Sequence, residues 1–387
     1  MKAFSIVFGF GIWLAVPGNL VEAAQVEVVR TPNEGIQPQA AVDAKGVLHL
    51  MYYKGAAGGG DLFYARQQPG ETAFSTPIPV NSRPGSAIAA GNIRGAQLAL
   101  GRDGRVHVAW MGGSGAERVM IRGKAKTPML YTRLNDSGTA FEPERNLLSY
   151  AAELDGGGTV AADDRGNVYV AWHSFPPGNT NGEAGRAVFV ARSHDDGKTF
   201  AAEKLANPIP TGACACCGMR AFADSKGNLY MMYRAATGGS ERGMELLTAR
   251  AGAGVFQSTP LSEWKRNTCM MSSAYLAEGA GSVLAAWEGD NQVQFCVLDP
   301  LSLQPSRSIA PVRAGKPKYP TVARNSAGET LFAWTEGTGW AKGGSLAWQV
   351  YDSKLKPVGE KFTREGVPAW SLVAAVAKPD GNFLVFY

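Results

Sequence analysis

Gly46-Val-Leu-His-Leu-Met-Tyr52 decides the fold, because it is the first of seven copies of one pattern. The others are Gly104-Arg-Val-His-Val-Ala-Trp110, Gly166-Asn-Val-Tyr-Val-Ala-Trp172, Gly227-Asn-Leu-Tyr-Met-Met-Tyr233, Gly281-Ser-Val-Leu-Ala-Ala-Trp287, Gly328-Glu-Thr-Leu-Phe-Ala-Trp334 and Gly381-Asn-Phe-Leu-Val-Phe-Tyr387. Each reads as a turn glycine followed by a short apolar strand, and the residue six after the glycine is always Trp or Tyr. Successive glycines stand 47 to 62 residues apart, the length of a four-stranded sheet with its loops.

The neighbours of the pattern repeat with it. Small apolar residues precede the turn, as in Ala40-Ala-Val-Asp43 and Val160-Ala-Ala-Asp163. Close packing around an axis needs small side chains, so these read as innermost strands. A third strand follows a variable loop, as in Leu62-Phe-Tyr-Ala-Arg66 and Val188-Phe-Val-Ala-Arg192, and then an outer one such as Phe200-Ala-Ala-Glu-Lys-Leu205. Helical periodicity is absent. The pattern predicts an all-β chain forming a single β-propeller of seven blades, with six as the alternative. The last copy ends with only two strands, and Gln25 to Arg30 is a spare strand that closes the ring and removes a free sheet edge.

Residues 1–23 read as a signal peptide: Lys2, an apolar run from Ala3 to Val16, and small residues for cleavage before Ala24. The propeller then occupies residues 24–387, in the periplasm or outside the cell, with no membrane attachment after cleavage; a single N-terminal span is the alternative. Net charge is only +5, charged residues are 18%, and no Lys/Arg run occurs, so nucleic acid is not an expected partner.

Between the third and fourth strands of the third unit stands Ser193-His-Asp195-Asp-Gly197-Lys-Thr199-Phe200. This resembles the Asp-box, Ser/Thr-x-Asp-x-Gly-x-Thr-Trp/Phe, and a worn copy keeps Asp136, Gly138 and Phe141 in register. A box at that hairpin of a seven-fold repeat resembles the sialidase-like (BNR/Asp-box) propellers along the whole mature chain. The resemblance implies a structural role for Ser193, Asp195, Gly197, Thr199 and Phe200, on the face opposite the site. It also implies a working site of arginines gripping a carboxylate, a Tyr nucleophile activated by a Glu, and an acidic proton donor. Tyr319 stands where the nucleophile belongs and Arg220 where a second arginine belongs. The chain departs from the family at Ile36-Gln-Pro38, which has no Arg, and at Ser272-Ser273, where a third would stand.

Counting back from each repeat glycine aligns the channel mouth. Arg94, Cys217, Met271, Lys318 and Ser371 stand ten before it; Asp155, Cys216, Met270 and Trp370 eleven before; Gln39, Gln97, Thr159, Arg220 and Thr321 seven before, deeper in the channel. This mixture suits a glycan or another anionic small ligand. If the chain hydrolyses it, Tyr319 is the nucleophile, Asp155 or Glu153 the acid or base, and Arg94 and Arg220 grip the anion, while Lys318, Trp370, Gln39 and Gln97 line the ligand. No cofactor is required. The long loops Met111 to Pro128, His173 to Arg186, Arg234 to Gly243 and Thr335 to Gly344 share that face and support, alternatively, a non-enzymatic propeller that docks a protein partner. His49 and His107 occupy strand positions held by Tyr169 and Tyr230 elsewhere and read as structural.

Thr211-Gly-Ala-Cys214-Ala-Cys216-Cys217-Gly218 is the least expected segment. Cys269 falls at nearly the same register in the next unit. One reading is a disulfide from Cys269 to Cys216 or Cys217, with Cys214 paired to whichever remains. The other is a redox or metal-handling site, with Cu(I) or Zn held by Cys214, Cys216, Cys217 and Cys269 near Met219, Met270 or Met271. Cys296, in a third strand, reads as a buried free thiol.

Overall fold

The structure is a computed structural model that describes residues 24–179, 181–268, 270–313 and 315–387. The signal-peptide reading and Cys269 lie outside these residues. Among them, no helix is long and apolar enough to cross a membrane.

All seven repeat glycines have positive φ, between +72° and +87°. This is the left-handed region that a side chain resists. Each glycine therefore turns the chain from an inner strand into the second strand of the same sheet. Carboxylates pin three of these turns: Asp43, Asp163 and Asp224 each accept the backbone N–H groups two and four residues on. The turn chemistry is local, which is why the pattern is visible in sequence.

Seven sheets radiate from one axis among the described residues. Blade 1 runs inside to outside through Ile36–Val42, Leu48–Ala56, Gly59–Gln67 and Ile78–Pro79. The second blade starts at Gln97–Leu100 and carries an inserted hairpin, Val119–Ile121 with Lys124–Lys126. Blades 3, 4 and 6 start at Gly158–Ala162, Arg220–Ala223 and Pro317–Arg324, each with four antiparallel strands. The fifth, from Ala274–Gly279, has three strands, and bridges at Ile309 and Pro305 stand in for its outer edge. Blade 7 is Ala374–Ala377 and Phe383–Phe386, completed by Val26–Val29 lying parallel to the latter. The expected closure by the N-terminal strand is thus observed, and seven blades rather than six.

Each pair of adjacent blades shares one apolar cluster, and the last brings Leu48, Leu50 and Tyr52 of blade 1 against Val376, Leu384 and Phe386 of blade 7. The repeat aromatics are wedged into these seams with at most 3% exposure. Burying such a ring contributes about 4–6 kcal/mol gross. Their polar ends are satisfied: the indole N–H groups of Trp110 and Trp172 donate to the carbonyls of Ser86 and Ala151.

Candidate functional site at the loop face

The inner strands begin on the face that carries the long loops. Five of them carry, at or just before their start, a non-glycine residue with positive φ: Gln37, Asn92, Met271, Tyr319 and Trp370, between +44° and +62°. In blades 1 and 6 the sheet register skips at this point, from Ile36 to Gln39 and from Lys318 to Thr321. Strained backbone repeated around one channel mouth is held there by its surroundings and marks a place where side chains are aimed.

One turn deeper, five of the seven residues that stand seven before a repeat glycine are polar: Gln39, Gln97, Thr159, Arg220 and Thr321. Arg220 of blade 4 crosses the axis and donates from Nη1 to Gln39 Oε1 of blade 1 at 2.9 Å, with its guanidinium 4.3 Å from the centre of the Tyr275 ring. Burial lowers the pKa of this cation, and its Nε has no partner. Thr159 donates to Gln97 Oε1 at 2.6 Å, and Gln97 Nε2 donates to the Met219 carbonyl. The cavity around these residues measures about 40 Å³ and is also lined by Tyr319, Ser273 and Asn92. It has room for a few waters, far below the 300–1,000 Å³ typical of small-molecule sites. Among the described residues no carboxylate lines it.

Tyr319 is 2% exposed, and burial together with the nearby Glu288 carboxylate pushes its phenol far above the ordinary value. Its backbone N–H donates to Glu288 Oε1 at 2.9 Å. Lys318 Nζ donates to Glu288 Oε2 at 3.2 Å and to the Met270 carbonyl, and lies 5.0 Å from the centre of the Tyr319 ring. Glu288 thus ties blades 5 and 6 together. It directly follows Trp287 of the repeat, a position the register reading passed over. Lys318 is spent on it rather than free in the funnel.

At the rim, Arg94 Nη2 meets Asp155 Oδ1 at 2.5 Å and Arg94 Nε donates to the Asp155 carbonyl. Glu153 is ion-paired with Lys126 of the inserted hairpin. Three side chains from separate blades converge over Gly91 (φ +88°). A Cβ placed there would lie 3.2 Å from Arg94 Nη1, 3.3 Å from Met271 Cε and 3.6 Å from Trp340 Cζ3. Trp340 remains 60% exposed and meets Trp370 edge to face at 4.8 Å. The Trp370 carbonyl accepts from Gln37 Nε2 at 2.7 Å, which fixes its turn. The rim therefore brings Arg94, Asp155 and Trp370 together with Met271 and Trp340, while Tyr319, Arg220, Gln39 and Gln97 lie below this cap. The indole of Trp340, in Gly337-Thr-Gly-Trp340-Ala-Lys-Gly-Gly344, was not singled out in the sequence. Its signal is an aromatic residue in an otherwise small and polar loop.

The Ser193–Phe200 turn lies on the opposite face. Asp195 accepts from Ser193 Oγ, Thr199 N and Thr199 Oγ1 at 2.6–2.9 Å. Burial would raise its pKa, but the Thr199 and Ser193 hydrogen bonds hold it well below the usual carboxylate range. Phe200 packs edge-on against Tyr131 of blade 2 at 4.8 Å, and Gly197 (φ +78°) sits against the Tyr131 hydroxyl. His49 and His107 bond to the Tyr64 and Tyr131 hydroxyls at 2.7 and 2.8 Å. Also on this face, a funnel of about 860 Å³ opens between the inner-strand ends, lined by alanines such as Ala99, Ala161, Ala223 and Ala277.

Cys214 and Cys217 are free thiols with Sγ atoms 3.2 Å apart, beyond the ~2.05 Å of a disulfide. This corrects two of the expected pairings: Cys217 is not bridged to Cys269, and Cys214 is not bridged to the cysteine left over. Cys296 is a buried free thiol, pushed up to about 12 by burial.

No protein-family model matches the chain, and no curated protein does. Solved structures share the architecture. The Hadza microbial sialidase Hz136 superimposes with a TM-score of 0.51 at 12% identity, over 83% of this chain and 69% of that one. The polysaccharide lyase Uly1 gives 0.47 at 10% identity, over 83% and 78%. The intramolecular trans-sialidase from Ruminococcus gnavus gives 0.44 at 11% identity, over 90% and 88%. At such identities the likeness is one of fold and does not carry activity. Repeat, ring closure and superposition agree that this chain is a seven-bladed β-propeller of the sialidase-like fold.

Proposed function

We propose that the loop face binds a sugar ring of a glycan without cleaving it. The observation that carries this reading is the exposed Trp340 indole, braced by Trp370 and standing over the channel mouth beside the Arg94–Asp155 pair. An exposed, immobilised aromatic face offers a stacking surface for the C–H face of a sugar, and the adjoining ion pair offers a donor and an acceptor to its hydroxyls. Hydrolysis has less support. The cavity holding Tyr319 is too small for a sugar ring and has no carboxylate to act as acid or base. The rim cations Arg94 and Lys318 are already paired with Asp155 and Glu288, which favours a neutral sugar face over a carboxylate as the main contact.

Glycan-array screening followed by calorimetry tests the reading. Trp340→Ala is expected to weaken the best ligand at least about tenfold with unchanged thermal stability. Equal binding by wild type and Trp340→Ala overturns the loop-face site. Turnover of a fluorogenic sialoside that disappears in Tyr319→Phe overturns the non-hydrolytic reading. The apolar leader from Ala3 to Val16 supports export, and with Cys214 and Cys217 free the bridge favoured for Cys269 is the one to Cys216. A non-reducing peptide map is expected to show that cross-link.

A further inference from the structure

The cysteine loop gathers a second cluster of reactive groups, away from Trp340. The Cys217 N–H donates to the Cys214 carbonyl at 3.3 Å and the Cys214 N–H to the Arg234 carbonyl at 2.9 Å. This tight turn aims both side chains inward. Each residue is 1% exposed, and the sulfurs of Cys214, Cys216 and Cys217 all lie within 4.8 Å of one another.

The surroundings of the pair are cationic. Arg234 is 1% exposed, and its three hydrogen bonds go to the Ser272 hydroxyl and the carbonyls of Arg242 and Glu288, at 2.5–2.6 Å. Arg186, also buried, donates to the carbonyls of Glu153 and His173. Among the described residues neither guanidinium has a carboxylate within ion-pair distance. Arg242, by contrast, pairs with Glu183 at 2.6 Å. Burying guanidinium groups without a contacting counter-charge is costly; Asp155, Glu183 and Glu153 act on Arg186 from farther away, and the Cys214–Cys217 pair lies beside both arginines. Ser272 Oγ lies 3.4 Å from Cys217 Sγ. His173 Nε2 donates to the Cys217 carbonyl at 3.0 Å, while its Nδ1 is buried with no partner.

We propose that Cys214 and Cys217 bind one Cu(I) ion as a bis-thiolate. Two converging soft donors suit Cu(I), which accepts two or three sulfurs, whereas a structural zinc needs four donors in a tetrahedron. On binding, each thiol forms an S–Cu bond and gives its proton to solvent. The product carries one net negative charge, which the nearby Arg234 and Arg186 stabilise, and no electron changes hands.

The test is an anaerobic titration of the full-length protein, with the Cys216–Cys269 bridge left intact, with Cu(I) against a chromogenic Cu(I) chelator. Wild type is expected to withdraw one Cu(I) per chain. Cys214→Ser and Cys217→Ser are each expected to lose at least about 100-fold in affinity, and Cys296→Ser none. Retention of full stoichiometry by a Cys214→Ser/Cys217→Ser double variant overturns the proposal, as does failure of the wild type to compete. Should the serine variants not fold, X-ray absorption on the Cu(I)-loaded wild type decides: a two- or three-coordinate all-sulfur site upholds the proposal, and nitrogen or oxygen ligands overturn it.

Discussion

The two ends of the channel are built from the same seven strands and differ in what they enclose. Toward the turns, inner-strand alanines leave a funnel of about 860 Å³. Toward the loops, the ring of Gln39, Gln97, Thr159 and Arg220 leaves about 40 Å³, and Arg94, Met271 and Trp340 close over it. Arg220 and Tyr275 line both spaces and separate them. A radial fold thus sets a channel, while side-chain length at a single register decides at which end it is open. A ligand at the crowded end would meet a surface, because the space beneath is filled.

Four experiments break or sharpen this contrast. The largest effect is expected at the cap. Gly91→Val places a β-branched residue at φ +88° against Arg94, Met271 and Trp340, and the left-handed strain and overpacking together cost about 2–5 kcal/mol. A urea denaturation midpoint close to wild type would show that the cap is loose.

Acid tests the buried polar layer beside it. Burial, and next the Arg186 charge, depress His173 to about 4. The unfolded imidazole takes a proton near pH 6.5 and the native one does not until about pH 4. This contribution is therefore complete above pH 6.5 and is lost as pH falls, reaching on the order of 3 kcal/mol at pH 4. Stability curves from pH 7 to 4 are expected to fall less steeply in His173→Gln than in wild type; parallel curves would remove His173 from the account.

Arg220→Met removes the partition. Leaving Gln39 Oε1 without its donor is expected to cost about 1–3 kcal/mol, and a crystal structure of the variant is expected to show the two spaces joined. An unchanged loop-side cavity would mean that the neighbouring glutamines alone close it. The smallest effect belongs to the open end. Ala223→Ser, on the funnel wall, is expected to stay within about 0.5 kcal/mol of wild type by thermal melting.

Legibility from sequence followed the range of the interactions. The seven glycines were readable because a positive φ is demanded within a four-residue turn. The seven aromatics were readable because period-two burial places them in the seams between blades. The register seven before each glycine was legible too: Gln39, Gln97, Thr159 and Arg220 do meet on the axis. Their partners were not. Arg220 reaches Gln39 from 181 residues away, and Lys318 is engaged by Glu288 of the neighbouring blade. Trp340 became conspicuous only once its loop was seen folded over Gly91.

By itself the amino-acid sequence pointed to the propeller and its closing strand and favoured seven blades over six, since each rests on turn chemistry and periodicity repeated along the chain. Tertiary structure alone decided which end of the channel is shut, which cations are already paired, and that Cys214 and Cys217 face each other as free thiols among arginines. Those outcomes depend on side chains from different blades competing for the same few ångströms at the axis, a competition that no local stretch records.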